Sequence, residues 1–280
     1  MFFKYNQIKE IKKFYFQNGF VVIKKFFPKN KISKLKNEIL KKTTKDYNID
    51  FYYENDGKKK FHLRRIEKIT NYNKNIKDIA KSEKIKKILK LLTNGKQTLF
   101  KDKLNFKLPK GDGFLPHFDG HFYWRDKDNK LQKGWKKYSN QFTNIAVPLE
   151  NSNIKNGCLY IAPKKDTDRL GLNWKSITQS LITNTPNIKK KDLKKFNFLP
   201  FDVKEGDVII FNWLCAHYSP KNKSNKSRML IYLTYCSNSK IKNLRDSYYF
   251  DKKYSLNSRN YKGCIYNEPV IKKKLIFNNL

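Results

Sequence analysis

The sequence predicts a mainly β protein, a β-sandwich or jelly roll, with helices flanking the sheets. Apolar residues recur at helical spacing in the first third of the chain. Short apolar segments separated by turn residues follow from about residue 98 and are typical of strands. The chain has 280 residues, of which 39% are hydrophobic and 15% aromatic, so it can bury a substantial core.

Residues 1–97 are predicted to form a helical N-terminal part. Residues 5–19 have apolar positions at helical spacing, and residues 28–43 begin a second helix at a proline. Between them, the β-branched segment FVVIKKF predicts a short strand. Residues 76–93 predict one further amphipathic helix.

Residues 98–251 are predicted to form the β core. The strand candidates are apolar or aromatic segments bounded by turn residues, namely TLFKDKLNFKL, FTNIAVPLE, GCLYIAP, FDVKEGDVIIFNW and RMLIYLTYC. Residues 252–280 are basic and irregular, and we expect a C-terminal tail that lies over the body. Because no repeat or low-complexity linker divides the chain, residues 1–280 are predicted to form a single domain.

The formal net charge of +38 is compatible with a nucleic-acid-binding protein. However, seven of the 62 basic residues are arginine, the residue that base-reading grooves favour, and the lysines are spread along the whole chain. Lys, Asn, Ile, Tyr and Phe are abundant together, and all have A/T-rich codons. We therefore attribute the charge to genome composition and expect no specific nucleic-acid partner, although the charge can attract anionic small molecules.

The sequence also bears on location. No apolar run approaches the ~20 residues of a membrane-spanning helix, and the N-terminus lacks the apolar segment of a signal peptide. The four cysteines are widely spaced without a C-x-x-C pair, and three of them lie in apolar, strand-like segments. Such cysteines are typical of reduced thiols, so we expect a cytoplasmic protein.

Two of the four histidines flank an aspartate in GFLPHFDGHFYW, which contains His117, Asp119 and His121. In a strand, positions i and i+2 face the same side, so His117 and Asp119 can reach one metal ion. His217 lies about a hundred residues downstream, immediately beyond the strand segment GDVIIFNW. Two histidines and one carboxylate on one side of an ion form the facial triad of non-haem Fe(II) oxygenases.

Arg228 lies eleven residues after His217, at the start of the next predicted strand. A planar guanidinium on an inner strand can bind a ligand carboxylate through two parallel hydrogen bonds. The role of His121 stays open at this point. It is a substrate contact, a hydrogen-bond partner behind the metal ligands, or a loop residue with a structural role.

These motifs resemble the phytanoyl-CoA dioxygenase family of Fe(II)/2-oxoglutarate oxygenases. The H-x-D pair, the distant histidine and the arginine eleven residues later carry the resemblance, together with the opening FYFQNGFVVIKKFF. The segment NGCLYIAPKKD is similar to one that usually ends in Gly-Ser-His, but here Lys164, Lys165 and Asp166 stand in its place, so we assign that turn no role. KDKLNFKLPKGDGFLPHFD, RMLIYLTYCSNS and RDSYYFDKK further resemble bacterial 2-aminoethylphosphonate-type dioxygenases.

The resemblance implies a double-stranded β-helix, a jelly roll whose open end holds iron. It implies that His117, Asp119 and His217 bind Fe(II). The co-substrate 2-oxoglutarate would chelate that iron, and Arg228 would bind its far carboxylate. Further co-substrate contacts are expected on the strand before the metal motif, where side chains should point inward; the first candidate is Asn105 and the second is Lys103.

The implied reaction is O2-dependent hydroxylation of a small, anionic organic substrate, such as a phosphonate or an acyl compound. Halogenating relatives have a small residue in place of the acid, whereas Asp119 is intact, which implies hydroxylation. Two alternatives remain open. One is a non-catalytic, cupin-like metal- or ligand-binding jelly roll, and the other is a basic nucleic-acid-binding protein.

Overall fold

Two β-sheets face one another and form the body of the protein. The computed structural model describes residues 1–41, 50–55, 61–171, 177–179, 186–237 and 239–255. The strands are β1 (Phe2–Lys4), β2 (Phe20–Lys24), β3 (Asp50–Asn55), β4 (Phe61–Glu67), β5 (Gln97–Lys107), β6 (Phe114–His117), β7 (Tyr123–Arg125), β8 (Leu131–Lys133), β9 (Phe142–Pro148), β10 (Tyr160–Ile161), β11 (Ile177–Gln179), β12 (Pro186–Ile188), β13 (Leu199–Pro200), β14 (Val208–Asn212), β15 (His217–Ser219) and β16 (Arg228–Ser237). The helices are α1 (Ile8–Asn18), α2 (Lys29–Lys41), α3 (Ile69–Tyr72), α4 (Lys74–Ala80), α5 (Glu83–Leu92), α6 (Lys164–Arg169), α7 (Lys190–Leu193) and α8 (Leu244–Tyr254).

The larger sheet has the order β1-β2-β14-β9-β16-β5-β4-β3. Its first pair is parallel, and its other neighbours are antiparallel. The smaller sheet has the order β13-β10-β15-β6. Two short ladders, β7 with β8 and β11 with β12, complete the described strands. Two facing, mostly antiparallel sheets with helices outside them form the predicted jelly-roll architecture.

The pleat of β5 and β16 decides which side chains reach the space between the sheets. Leu104 and Ile231 belong to the large hydrophobic cluster that the larger sheet forms with helices α1, α2, α4 and α5. Leu230 instead packs with Leu159, which immediately precedes β10 of the smaller sheet. Because successive strand residues alternate between faces, Lys101, Lys103, Asn105 and Lys107 of β5 point inward with the residues of β16 opposite them, as far as the register shift at Thr234.

The N-terminal part contains more strand than the predicted helical segment implied. The helices and the strand predicted up to residue 43 correspond to α1, β2 and α2, but β3 and β4 extend the larger sheet beyond β5. The single helix predicted over 76–93 is two helices. Ser82 separates them, because its side chain accepts a hydrogen bond of 3.4 Å from the Ile85 amide and caps α5.

The predicted tail begins inside a helix. Residues 252–254 complete α8, so the boundary predicted at residue 252 is displaced, and residues 256–280 lie outside the described residues. Arg245 of this helix contacts the completely buried Asp102 of β5 at 2.7 Å. The C-terminal helix is therefore attached to the strand that lines the space between the sheets.

Two structural facts bear on location. Within the described residues, no helix is long and apolar enough to cross a bilayer. Cys158, Cys215 and Cys236 are buried free thiols, and Cys264 lies outside the described residues.

Candidate metal centre and co-substrate site

Strands β6 and β15 bring the two predicted metal-binding histidines together. The strands are antiparallel neighbours, and His117 is paired directly with His217 across the ladder. Their ring centroids lie 4.3 Å apart. One strand pairing in the smaller sheet thus brings together two histidines that are one hundred residues apart in sequence.

Asp119 lies two residues beyond the end of β6, in a turn and not in the strand that the sequence argument assumed. The chain turns at Gly120, whose φ of +69° favours glycine, and a Cβ there would lie 2.7 Å from the ring of Trp135. This turn places Oδ2 of Asp119 3.7 Å from Nε2 of His217. One ligand atom from each of His117, Asp119 and His217 lies within 4.8 Å of the others.

Backbone carbonyls fix the orientation of both imidazoles. Nδ1 of His117 lies 2.6 Å from the Leu115 carbonyl oxygen, and Nδ1 of His217 lies 3.0 Å from that of Cys215. Since a carbonyl only accepts, Nδ1 carries the proton in each ring and Nε2 presents its lone pair. Metal-binding histidines are commonly oriented in this way.

The charge states suit a divalent metal. Burial, and after it the charge of His217, lowers the pKa of His117 to about 3, and burial also lowers the pKa of His217. Burial opposes ionisation of Asp119, but the charges of His217 and Lys103 outweigh it and lower the pKa of that carboxyl. Near neutral pH the site therefore offers two neutral imidazoles and one carboxylate, a donor set that fits Fe(II).

Asp119 is held by a buried polar relay. Asn144 of β9 donates a hydrogen bond of 2.8 Å to Oδ2 of Asp119. Thr234 of β16 donates one of 2.7 Å to the amide oxygen of Asn144. The relay fixes the carboxylate from the side of the larger sheet.

Arg228 fits a carboxylate ligand. Its side chain lies on the inner face and is 1% exposed, yet Nε and Nη1 have no hydrogen-bond partner within the described part of the chain. Burial lowers the pKa of the guanidinium. Lys107, its cross-strand neighbour, is also completely buried and donates a hydrogen bond of 2.8 Å to Ser219 Oγ. Unpartnered buried donors are costly, so an anionic ligand would stabilise this arrangement.

Asn105 and Lys103 follow along the same face of β5. Asn105 Oδ1 is buried and has no hydrogen-bond partner among the described residues. The Lys103 ammonium lies 4.9 Å from the centroid of the Tyr232 ring. Both line one cleft with the three metal-binding candidates. The structure thus places five of the six predicted site residues in this cleft and the sixth, Arg228, further along its inner wall.

A larger groove, of about 980 Å³, lies on the outer side of the larger sheet, between α4, α5 and the start of β5. Its lining includes lysines such as Lys81 and Lys90 but none of the three metal-binding candidates. Because the inner cleft contains the convergent metal-binding candidates, we place the candidate active site there and not in the larger groove.

Residues 15–230 match the model of the family described as phytanoyl-CoA dioxygenase. The chain belongs to the phytanoyl-CoA dioxygenase family. The matched range includes the metal-binding candidates and Arg228. The prediction of this family is therefore confirmed.

Phytanoyl-CoA dioxygenase family members with curated names include enzymes of phosphonate chemistry. The chain is 30% identical over 231 residues to the 2-aminoethylphosphonate dioxygenase of an uncultured bacterium, HF130_AEPn_1, covering 78% of this chain and 77% of that protein. It is 27% identical over 198 residues to dioxygenase lolE1 of Epichloe uncinata, covering 71% and 68%. It is 24% identical over 191 residues to a methylphosphonate hydroxylase of Gimesia maris, covering 68% and 65%.

Solved structures confirm the jelly-roll fold. The α-ketoglutarate-dependent epimerase SnoN matches with a TM-score of 0.61 and 12% identity, covering 83% of this chain and 84% of SnoN. HygX of Streptomyces hygroscopicus, solved with nickel, 2-oxoglutarate and hygromycin B, matches with a TM-score of 0.55 and 12% identity over 82% of this chain and 87% of HygX. The predicted enzyme class, a 2-oxoglutarate-dependent oxygenase of this family, is confirmed, and the predicted Fe(II) and 2-oxoglutarate agree with these relatives.

His121 is completely buried. Its Nδ1 lies 2.9 Å from the backbone oxygen of Asp119, and its ring lies 4.9 Å from that of Trp213 and 5.4 Å from that of Phe118. It is not part of the convergent ligand set. Of the three alternatives left open by the sequence, this packing favours the structural role.

Asn144 and Thr234 were not predicted from the sequence. Both interrupt apolar strand segments, FTNIAVPLE and RMLIYLTYC, and both are at most 3% exposed. A polar residue at a buried strand position needs a partner, which is the signal that could have found them. The nature of that partner required the three-dimensional structure.

Proposed function

We propose that this protein is an Fe(II)- and 2-oxoglutarate-dependent hydroxylase of a small, anionic organic molecule. The observation that carries the proposal is the convergence of His117, Asp119 and His217 in a cleft whose inner wall continues to the buried Arg228. Two donor nitrogens of Arg228 have no hydrogen-bond partner among the described residues. A binding-only jelly roll has no need of that arginine, and it is the weaker candidate for this reason.

Each site residue has a distinct role. His117 and His217 would bind the iron through Nε2, and Asp119 through its carboxylate, which Asn144 orients. Arg228 would pair with the far carboxylate of 2-oxoglutarate. Asn105 has a buried amide within the same wall and would contact the co-substrate beside it. Iron bound at this position would supply O2 activation coupled to the decarboxylation of 2-oxoglutarate.

The protein would orient the iron-binding side chains and exclude both a halide and bulk water from the reaction site. The carbonyl contacts at both Nδ1 atoms keep the imidazoles in the tautomer that binds metal. With iron bound, Asp119 would occupy the coordination position that a halide needs, so we expect a hydroxylated product. His217 is buried and His117 and Asp119 are half-buried between the two sheets, which would limit the access of bulk water to the reacting C–H bond.

The substrate class rests on charge and on the relatives. Two of the curated relatives are named for phosphonates, and the cleft wall has more lysine than acid. Phosphonates are therefore the first compounds to test, and acyl compounds the second. The buried free cysteines support the proposal of a cytoplasmic location.

The test is succinate formation from 2-oxoglutarate by the Fe(II) protein in air, with and without a phosphonate. We expect wild-type protein to form succinate and His217→Ala to form none. Added DNA should not change the rate, which separates this function from nucleic-acid binding. Succinate formation by His217→Ala at the wild-type rate would refute the proposed function.

A further inference from the structure

Two lysines of β5 line the metal cleft, and they differ in their electrostatic surroundings. The ammonium of Lys101 contacts the completely buried carboxylate of Glu67 at 3.3 Å. The ammonium of Lys103 makes no hydrogen bond or ion pair with any residue that the structure describes. It lies 4.9 Å from the centroid of the Tyr232 ring. Lys103 is thus a cation in the cleft without a bonded anion.

The position of Lys103 separates it from the end of the wall assigned to 2-oxoglutarate. In the ladder between β5 and β16, Lys103 is opposite Tyr232, whereas Arg228 is opposite Lys107. Four residues along a strand correspond to about 13 Å. Lys103 lies at the level of the metal-binding candidates, since it lines one cleft with His117, Asp119 and His217.

When iron and 2-oxoglutarate are bound, the positive charge of Lys103 would have no matching negative charge. The two positive charges of iron would be matched by Asp119 and by the near carboxylate of 2-oxoglutarate. The far carboxylate would be matched by Arg228. Once the metal binds Asp119, the nearest carboxylate is no longer available to Lys103. Lys103 is partly buried in the cleft wall, so an anionic ligand bound beside it would stabilise its charge.

The neighbouring groups cannot supply this anion. Glu67 already contacts Lys101, Lys252 and Arg65. Three cations share this one carboxylate, so this end of the cleft has more positive than negative charge. The surplus favours an oxyanion in the cleft.

We propose that Lys103 binds the anionic group of the substrate, an oxyanion of the phosphonate or carboxylate type. The proposal rests on the proposed function, and it assigns Lys103 to the substrate instead of the co-substrate contact predicted from the sequence. A substrate anchored there would have its charged group beside the metal ligands, and the C–H bond to be hydroxylated would lie a short distance from that group.

The test compares Lys103→Met and Lys103→Arg with the matched control Lys96→Met, which removes an exposed lysine just before β5. The anaerobic Fe(II)–2-oxoglutarate protein is titrated calorimetrically with 2-aminoethylphosphonate, methylphosphonate and inorganic phosphate. We expect Lys103→Met to weaken binding of the tightest of these probes by roughly tenfold or more, as truncation of one partner of a charge pair does. Lys103→Arg should retain part of the affinity, and Lys96→Met all of it.

The same variants are titrated with 2-oxoglutarate alone. We expect Lys103→Met to bind it as wild type does. If Lys103→Met loses as much affinity for 2-oxoglutarate as for the anionic probe, the proposal is overturned, and Lys103 is a co-substrate contact as the sequence predicted. Unchanged anion binding by Lys103→Met, or no binding of any probe by wild type, would also overturn it. If the Lys103 proposal fails in any of these ways but wild type still forms succinate, the proposed function is retained.

Discussion

Asn144 donates a hydrogen bond of 2.8 Å to Oδ2 of Asp119 and thereby connects the middle of the larger sheet to a metal-binding candidate in the turn after β6. Asn144 is 2% exposed, and its own amide oxygen is fixed by Thr234. The orientation of the Asp119 carboxylate is therefore fixed by side chains of the larger sheet.

We predict that Asn144→Ala weakens iron binding by roughly 10- to 100-fold, the usual effect of removing a partner that orients a metal ligand. Thr234→Val, which keeps the shape of the side chain, should weaken it less because Asn144 remains. The measurement is Fe(II) or Co(II) titration of the apoprotein. Wild-type metal affinity in Asn144→Ala would show that the relay does not orient Asp119.

His121→Ala should retain iron, because His121 packs behind the site and is not among the convergent ligands. Its thermal stability should fall, since a completely buried ring is removed. Iron content after reconstitution checks the first statement and thermal unfolding the second. His117→Ala is the comparison, and it should lose iron. If His121→Ala loses iron as well, the ligand set is wrong.

Chloride should not be incorporated into the product. As an iron ligand, Asp119 would fill the coordination position that a halide would take. Mass spectrometry of products formed at saturating chloride tests this, with Asp119→Gly as the variant that opens the position. A chlorinated product from wild-type protein would contradict the assignment of Asp119 as a ligand.

Glu67 should stabilise the fold near neutral pH. Burial opposes its ionisation, but Lys101, Lys252 and Arg65 outweigh burial and hold the pKa of Glu67 well below its usual value. A carboxyl with a lowered pKa in the folded state stabilises above its unfolded pKa of about 4.3, and this stability is lost as the pH falls through the folded value.

We therefore predict that Glu67→Gln lowers the free energy of unfolding at pH 7 by about 3–5 kcal/mol, because it leaves buried cations unpaired. Denaturant unfolding at pH 7 measures this. Glu83→Gln is the control, because Glu83 also pairs with a lysine but is exposed, and it should cause no measurable change. Equal stability of Glu67→Gln and wild type would mean that the cluster is solvated.

Local spacing in the sequence was enough to propose the metal-binding candidates and Arg228. His117 and Asp119 are two residues apart, and Arg228 follows His217 by eleven residues. Asn144 belongs to a strand whose partners are set by the order of the larger sheet, and no local pattern encodes that order.

The prediction of one continuous helix over residues 76–93 was wrong for a different reason. Its apolar spacing continues through Ser82, and only the capping hydrogen bond shows that the chain restarts there. Strands β3 and β4 were missed because they carry many charged residues, which obscure the alternation that predicts a strand.

The central claim is that an iron site and a carboxylate-binding arginine together form one co-substrate site. Truncation of one partner of a buried charge pair costs ~2–5 kcal/mol, which corresponds to roughly 30-fold or more in affinity at ~1.4 kcal/mol per tenfold change. Iron binding should hardly change in Arg228→Ala, because Arg228 is not a ligand, and Arg228→Lys should recover part of the loss.

The most direct measurement is titration of the anaerobic Fe(II) protein with 2-oxoglutarate, followed by the metal-to-ligand charge-transfer absorbance. Wild-type protein should develop the band at low 2-oxoglutarate concentration, and Arg228→Ala should need roughly 30-fold more. Equal affinities in wild type and Arg228→Ala would contradict the claim and place the carboxylate anchor elsewhere in the cleft.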